Sequence, residues 1–260
     1  MCLIVFAWQA HHATPLLLAA NRDEFHARPT QAAAFWEHEP EVLAGQDLVA
    51  GGTWLGVTRR GRFAAITNVR QAQADKPRSR GELTLDFLSG NATPRDYLNT
   101  IAKRSHDYQG FNLLVGDGKS LWYLHAGADG PAQPLELTPG IYGLSNASID
   151  VPWPKVRRAR DQLRAQLQAA RDAAPGHDAL RQCLSDRSLA AATDVVVPGM
   201  DTTIAQQLSA QFIVTPEYGT RCCTSLRFHA QGGWDFQELR FDAQGQETGR
   251  DQFSSSTTGH

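Results

Sequence analysis

The chain has 260 residues, with 25 basic and 27 acidic side chains and a net charge of −2 at neutral pH. This balance gives no electrostatic reason to expect a nucleic-acid partner, and a hydrophobic content of 42% supplies enough apolar mass for a real core. The longest apolar runs, residues 3–8 and 16–20, fall far short of the ~20 residues that a membrane-spanning helix needs.

The N-terminal apolar run lacks a basic stretch before it, is interrupted by Gln9, His11 and His12, and is followed by Pro15. It therefore reads as an uncleaved start to a cytoplasmic protein, not as a signal peptide. Residues 3–8 and 15–20 are predicted as an antiparallel strand pair across the polar turn 9–14. Further strands are expected at 54–58 and 62–68, around the turn Arg60-Gly61, and a surface loop at 71–80.

Ser79-Arg80-Gly81-Glu82 has the spacing of a capping box, and Thr93-Pro94-Arg95-Asp96 that of an N-cap with a first-turn proline. Residues 111–115 and 121–125 read as strands around Gly116-Asp117-Gly118. A long helix is expected from near Pro154 to Pro175-Gly176, with Val156, Leu163, Leu167 and Ala170 inward and Arg157, Arg160, Asp161 and Arg164 solvated. Strands return at 212–214, 220–228 and 234–241, and residues 254–260 read as a disordered tail behind a single domain, 1–253. Strands at both ends with helices between them predict sheets assembled from distant segments of the chain.

Four cysteines, Cys2, Cys183, Cys222 and Cys223, form no disulfide framework, so reduced thiols are expected. Cys222 and Cys223, adjacent on one strand, point to opposite faces and read as packing residues. Cys2 taken alone is more often a small apolar residue at a strand start. Its small side chain, next to Met1, however, permits removal of that methionine. The mature chain would then carry a thiol and an α-amine on one residue, and that amine, with an ordinary pKa of about 8, can act as base for the thiol.

If the first two strands pair, Cys2 comes close to Asn21-Arg22-Asp23-Glu24. Asp23 can then pair with the α-ammonium and Arg22 can hold a carboxylate or an oxyanion. The histidines show no metal-ligand spacing, and no metal site or cofactor is expected. Trp54, Trp122 and Trp153 read as core or pocket walls.

Asn21-Arg22-Asp23-Glu24 behind Met1-Cys2 resembles the NRDE family, also called the transport and Golgi organisation protein 2 family. So do Gly51-Gly52-Thr53-Trp54-Leu55-Gly56, Thr67-Asn68-Val69-Arg70 and Gly110-Phe111-Asn112-Leu113-Leu114. Gly143-Leu144-Ser145-Asn146, Pro152-Trp153-Pro154-Lys155-Val156 and Tyr218-Gly219-Thr220-Arg221 continue the match in the family's order over nearly the whole chain. A second resemblance is to N-terminal-nucleophile hydrolases of the choloylglycine hydrolase and penicillin V acylase type, whose catalytic series looks like Cys2, Asp23, Asn68, Asn146 and Arg221. The series departs in having Ala20 where that family has an early arginine, with Arg22 beside Asp23 instead, and no proline in residues 144–148.

These resemblances imply an α+β fold, the four-layer αββα sandwich of N-terminal-nucleophile hydrolases. They imply an amidase or acyl hydrolase for a small C–N or related acyl substrate, with Cys2 as nucleophile. Asn68 and Asn146 would be oxyanion donors, and Asn21, Arg22, Glu24 and Trp54 would line the substrate site. The alternative function is a non-catalytic protein that binds or traffics haem or acylated lipid carriers on the same fold.

Overall fold

In the structure, a computed structural model, residues 2–70, 76–128, 130–170, 173–195 and 200–255 are described. The chain divides into two compact units. One comprises Met1–Ala27, Pro139–Ser145 and Ile149–Ser254, and the other Arg28–Thr138, Asn146–Ser148 and Ser255–His260.

The first unit is built on a six-stranded sheet with β1 (Cys2–Trp8), β2 (Leu16–Phe25), β10 (Gly140–Leu144), β11 (Tyr218–Phe228), β12 (Trp234–Phe241) and β13 (Glu247–Ser255). Their spatial order, β10-β1-β2-β11-β12-β13, draws on both ends of the chain, as expected. Side chains alternate across the sheet. Leu3, Val5, Ala7, Leu17 and Ala19 form one buried cluster with Val156, Ala159 and Leu163 of α3 (Pro154–Ala170) and with Leu180 of α4 (His177–Gln182). The register of β1 on β10 brings Gly143 against α3, where a Cβ would meet the Val156 side chain at 2.6 Å. That contact is a packing reason for glycine there. A short α5 (Thr202–Gln207) is capped by Asp201.

Strand β2 runs five residues beyond its apolar core, so Asn21 to Phe25 belong to the strand instead of following it. Pairing with β1 on one side and β11 on the other satisfies the backbone along this polar stretch and outweighs its composition. Residues 212–214, expected as a strand, form a loop joined to β11 by one bridge, Val214 to Gly219. Ser254 and Ser255, expected in a disordered tail, end β13. The rest of that tail lies outside the described residues.

The second unit holds a seven-stranded sheet in chain order: β3 (Thr30–Phe35), β4 (Val42–Asp47), β5 (Leu55–Thr58), β6 (Phe63–Asn68), β7 (Phe111–Gly116), β8 (Leu121–Ala126) and β9 (Pro134–Glu136). It packs on α1 (Gly81–Ser89) and α2 (Pro94–Lys103) through Leu83, Phe87, Leu98 and Ile101. Thr93 caps α2 as expected, accepting from the Asp96 amide. The capping box of α1 does not form. Ser79 accepts from the Gly81 amide at 3.3 Å, and the Glu82 carboxylate turns to Tyr108 and Arg78. Among the described residues no helix is long and apolar enough to cross a membrane.

Candidate active site

Cys2 opens β1 directly across from Arg22 of β2, and Arg22 in turn lies across from Cys222 of β11. Cross-strand partners share a face, so a buried guanidinium stands between two thiols on the sheet side away from the α3–α4 cluster. Cys2 is half-buried, whereas Cys183, Cys222 and Cys223 are buried. Its carbonyl accepts from Ser145 Oγ at 2.8 Å, which ties the start of β1 to the end of β10. Burial and the nearby Asp23 carboxylate push the Cys2 thiol above its ordinary pKa, and Arg22 pulls it back. A thiol in that state needs a base to become a nucleophile.

Asp23 is the next residue along β2, one step beyond the Cys2–Arg22 pair. It is 1% exposed, a buried position. Thr220 Oγ1 donates to its carboxylate at 2.7 Å, and Tyr218 OH donates to its main-chain carbonyl at 2.8 Å. Burial raises the Asp23 pKa. Lys155, the Thr220 hydrogen bond and Arg22 work in the opposite direction.

The β11 register shifts between Thr220 and Cys222, leaving Arg221 as the extra residue of a bulge. A bulge re-aims its side chain. Arg221 Nη1 reaches the Phe25 carbonyl at 2.8 Å, close enough to Arg22 and Glu24 to feel both charges. Arg22 Nη2 lies 3.9 Å from Glu24 Oε2. Cys2, Arg22, Asp23, Glu24 and Arg221 therefore gather at one end of β1, β2 and β11. Asn21 shares the helix-facing side of β2 with Asp23 but lies one alternation further into the sheet, where it is buried and donates to the carbonyls of Leu184 and Gln211, both at 2.9 Å.

Asn68, Asn146 and Trp54 belong to the second unit. Asn146 is buried and donates through Nδ2 to the Asn68 carbonyl at 2.9 Å. The Asn68 side chain, at the end of β6, is exposed. Arg70 N donates to the Asn146 carbonyl at 2.8 Å. The segment after Asn146 is held by Asn112 of β7, fully buried, whose Nδ2 donates to the Ala147 carbonyl at 2.9 Å and to Thr67 Oγ1 at 3.0 Å. Asn112 Oδ1 accepts from Tyr123 OH at 2.6 Å and lies 2.8 Å from His125 Nδ1. Trp54 packs half-buried against the apolar cluster of this unit.

Thr220, Tyr218, Ser145, Lys155 and Asn112 were not among the residues that chemistry alone singled out. Each lies inside a segment that carries the family resemblance, and that was the available signal. Among the described residues, no three His, Cys, Asp or Glu side chains gather as a metal site.

Comparison with known proteins agrees with this geometry in two respects. The chain is similar in fold to conjugated bile acid hydrolase from Clostridium perfringens, solved in two variant forms. The TM-scores are 0.52 and 0.53 at 9% and 8% identity, over 99% of this chain and 97% and 98% of those. The N-terminal-nucleophile hydrolase fold expected from the sequence is therefore present. In sequence, the chain is 36% identical to the transport and Golgi organization protein 2 homolog of Bos taurus over 263 residues, and 36% to that of Homo sapiens over 256. Each alignment covers 92% of both partners. The Drosophila melanogaster protein is 28% identical over 65% of this chain and 66% of its own length. The family model described as Transport and Golgi organisation 2 matches residues 1–243, and the chain belongs to that family.

Proposed function

We propose that the protein is an N-terminal-nucleophile amidase or acyl hydrolase acting on a small C–N or related acyl substrate, with Cys2 as nucleophile after removal of Met1. The observation that carries this reading is the position of Cys2. It stands at the start of β1, across from Arg22 and one strand step from a buried Asp23, in a fold shared with hydrolases. The solved neighbours are by name hydrolases of conjugated bile acids, which supports a small conjugated acyl compound as the substrate class.

In this mechanism the α-amine takes the thiol proton and Sγ attacks the acyl carbon. The C–N bond breaks as the leaving nitrogen receives that proton. Water, deprotonated by the same amine, then hydrolyses the thioester, releasing the acid and restoring the thiol. Arg22 supplies positive charge beside the reacting sulfur. No cofactor enters any step.

Intact mass of purified protein establishes whether Met1 is removed. A panel of amides, esters and thioesters is then offered to wild type and Cys2→Ala. Turnover confined to wild type is the expected result. Full retention of Met1, or equal behaviour of the two proteins, overturns the reading.

A further inference from the structure

Lys155 occupies two unfavourable places at once. It is 2% exposed, although lysine is almost never buried without a use for its charge, and it stands in the first turn of α3, the end of a helix dipole that disfavours cations. An apolar residue of similar length would pack there at lower cost, as replacements of buried charges generally do. Its neighbours Val156 and Ala159 belong to the packed face of α3 against β1 and β2, so the helix is already anchored without it.

The geometry gives the charge a target. Asp23 alternates with Arg22 along β2, which directs it to the helix side of the sheet, where α3 lies. Of all the charges acting on Asp23, that of Lys155 is the largest. The Cys2–Arg22 register puts the backbone nitrogen of Cys2 beside the step from Arg22 to Asp23. The Lys155 charge therefore acts on the same carboxylate that stands one strand step from the backbone nitrogen of Cys2. Other titratable and charged groups around it include, among the described residues, Cys2, Arg22, Tyr218 and Cys223, with the Thr220 hydroxyl on the carboxylate itself.

We propose that Lys155 is a positioning residue for the reaction: its ammonium shares the Asp23 carboxylate with the N-terminal amine, leaving that amine unprotonated and able to take the Cys2 proton. This inference rests on the amidase reading above. With Asp23 alone, an α-ammonium would have a counter-ion to itself and would hold its proton. A competing fixed cation removes that advantage and favours the thiolate as well, so loss of Lys155 moves both titrations upward.

The test is the pH–rate profile of Cys2 alkylation by iodoacetamide, read by peptide mapping on full-length wild type, Lys155→Met, Lys155→Gln and Lys155→Arg. In both neutral variants the midpoint should rise by about one pH unit, which makes labelling at neutral pH about tenfold slower. Lys155→Arg should keep the wild-type midpoint. An unchanged midpoint in a folded neutral variant overturns the proposal. If neither neutral variant folds, a shifted midpoint in Lys155→Arg does so. Failure of the amidase reading registers separately, as Met1 retained or as turnover indifferent to Cys2→Ala, in proteins that still carry Lys155.

Discussion

Thr220 donates its hydroxyl to the Asp23 carboxylate at 2.7 Å, from the strand next to the one that carries the acid. Both residues are 1% exposed, so no bulk water replaces the bond if it is lost. Thr220 also accepts from the Ile213 amide at 2.9 Å, which fixes the hydroxyl's orientation. Thr220→Val should destabilise the protein by about 1.5–3 kcal/mol, the usual range for a hydrogen bond to a charged group, and Thr220→Ser should recover most of it. Urea melts of the three proteins check this. Equal midpoints would mean that the bond contributes nothing.

Burial holds Asp23 above the ordinary carboxylate range in the folded protein. Below its unfolded value, about pH 4, both states carry the proton and nothing is lost. As pH rises above that value the unfolded chain releases its proton first, so stability declines until the folded value is passed. Asp23→Asn cannot titrate. The stability of wild type relative to Asp23→Asn should therefore fall as pH rises above about 4. Denaturant titrations at several pH values measure the difference, and a difference independent of pH would contradict the prediction.

Gly52, in the segment Gly51-Gly52-Thr53-Trp54, approaches the start of α1 so closely that a Cβ would sit 2.4 Å from the Gly81 backbone carbon. Thr53 N also donates to the Gly81 carbonyl at 3.2 Å, and Thr84 Oγ1 donates to the Thr53 carbonyl. Backbone on backbone has no side chain to yield. Gly52→Ala should cost about 1–3 kcal/mol, the range for overpacking, whereas Gly51→Ala meets nothing within 4 Å and acts only through its positive φ of 76°. Thermal melts of the pair distinguish a clash from a conformational effect.

Much of this arrangement was legible in the sequence because apolar periodicity reports burial. β1, β6, β7 and β8 are apolar runs, and α3 shows its inward face in Val156 and Leu163. Other strands carry no such signal. β3 is alanine-rich, and β13 is an edge strand of polar residues, Glu247 to Ser255, defined only by pairing. At the site, sequence order located Cys2, Arg22 and Asp23 on one hairpin. The contrast between Arg22 and Asn21 depends on strand parity, and the aim of Arg221 depends on a bulge that no residue type announces. Lys155 looked like one more helical lysine, since burial of a polar residue is a tertiary property.

Thiol reactivity should single out Cys2. Burial pushes Cys183 and Cys223 up to about 12, and Cys222, beside Glu238, is raised well above its ordinary value. Cys2 is also raised, but of the four it alone is partly exposed, and Arg22 stands across from it. Limiting iodoacetamide at neutral pH should label Cys2 first, with the other three protected until the protein unfolds. Labelling of Cys183 or Cys222 ahead of Cys2 would make Cys2 a structural residue.

The strongest test of the catalytic reading compares Cys2 and Asp23 as a pair. If Asp23 sets the state of the amine that activates Cys2, both act in one step, and removing either removes that step. Cys2→Ala and Asp23→Asn should then each abolish turnover of a permissive amide or thioester. The double variant should be hardly slower than either single one, because members of a catalytic unit are strongly non-additive. Asp23 is buried, so each variant's fold must be checked by its melting curve before its rate is compared. Independent structural roles predict the opposite pattern, with losses that multiply. A protein that binds haem or an acyl carrier without chemistry predicts a third: no turnover in wild type, and ligand affinity indifferent to Cys2→Ala. Initial rates for the four proteins, with haem titration alongside, separate these outcomes, and multiplying losses would remove Asp23 from the mechanism even if Cys2 stays in it.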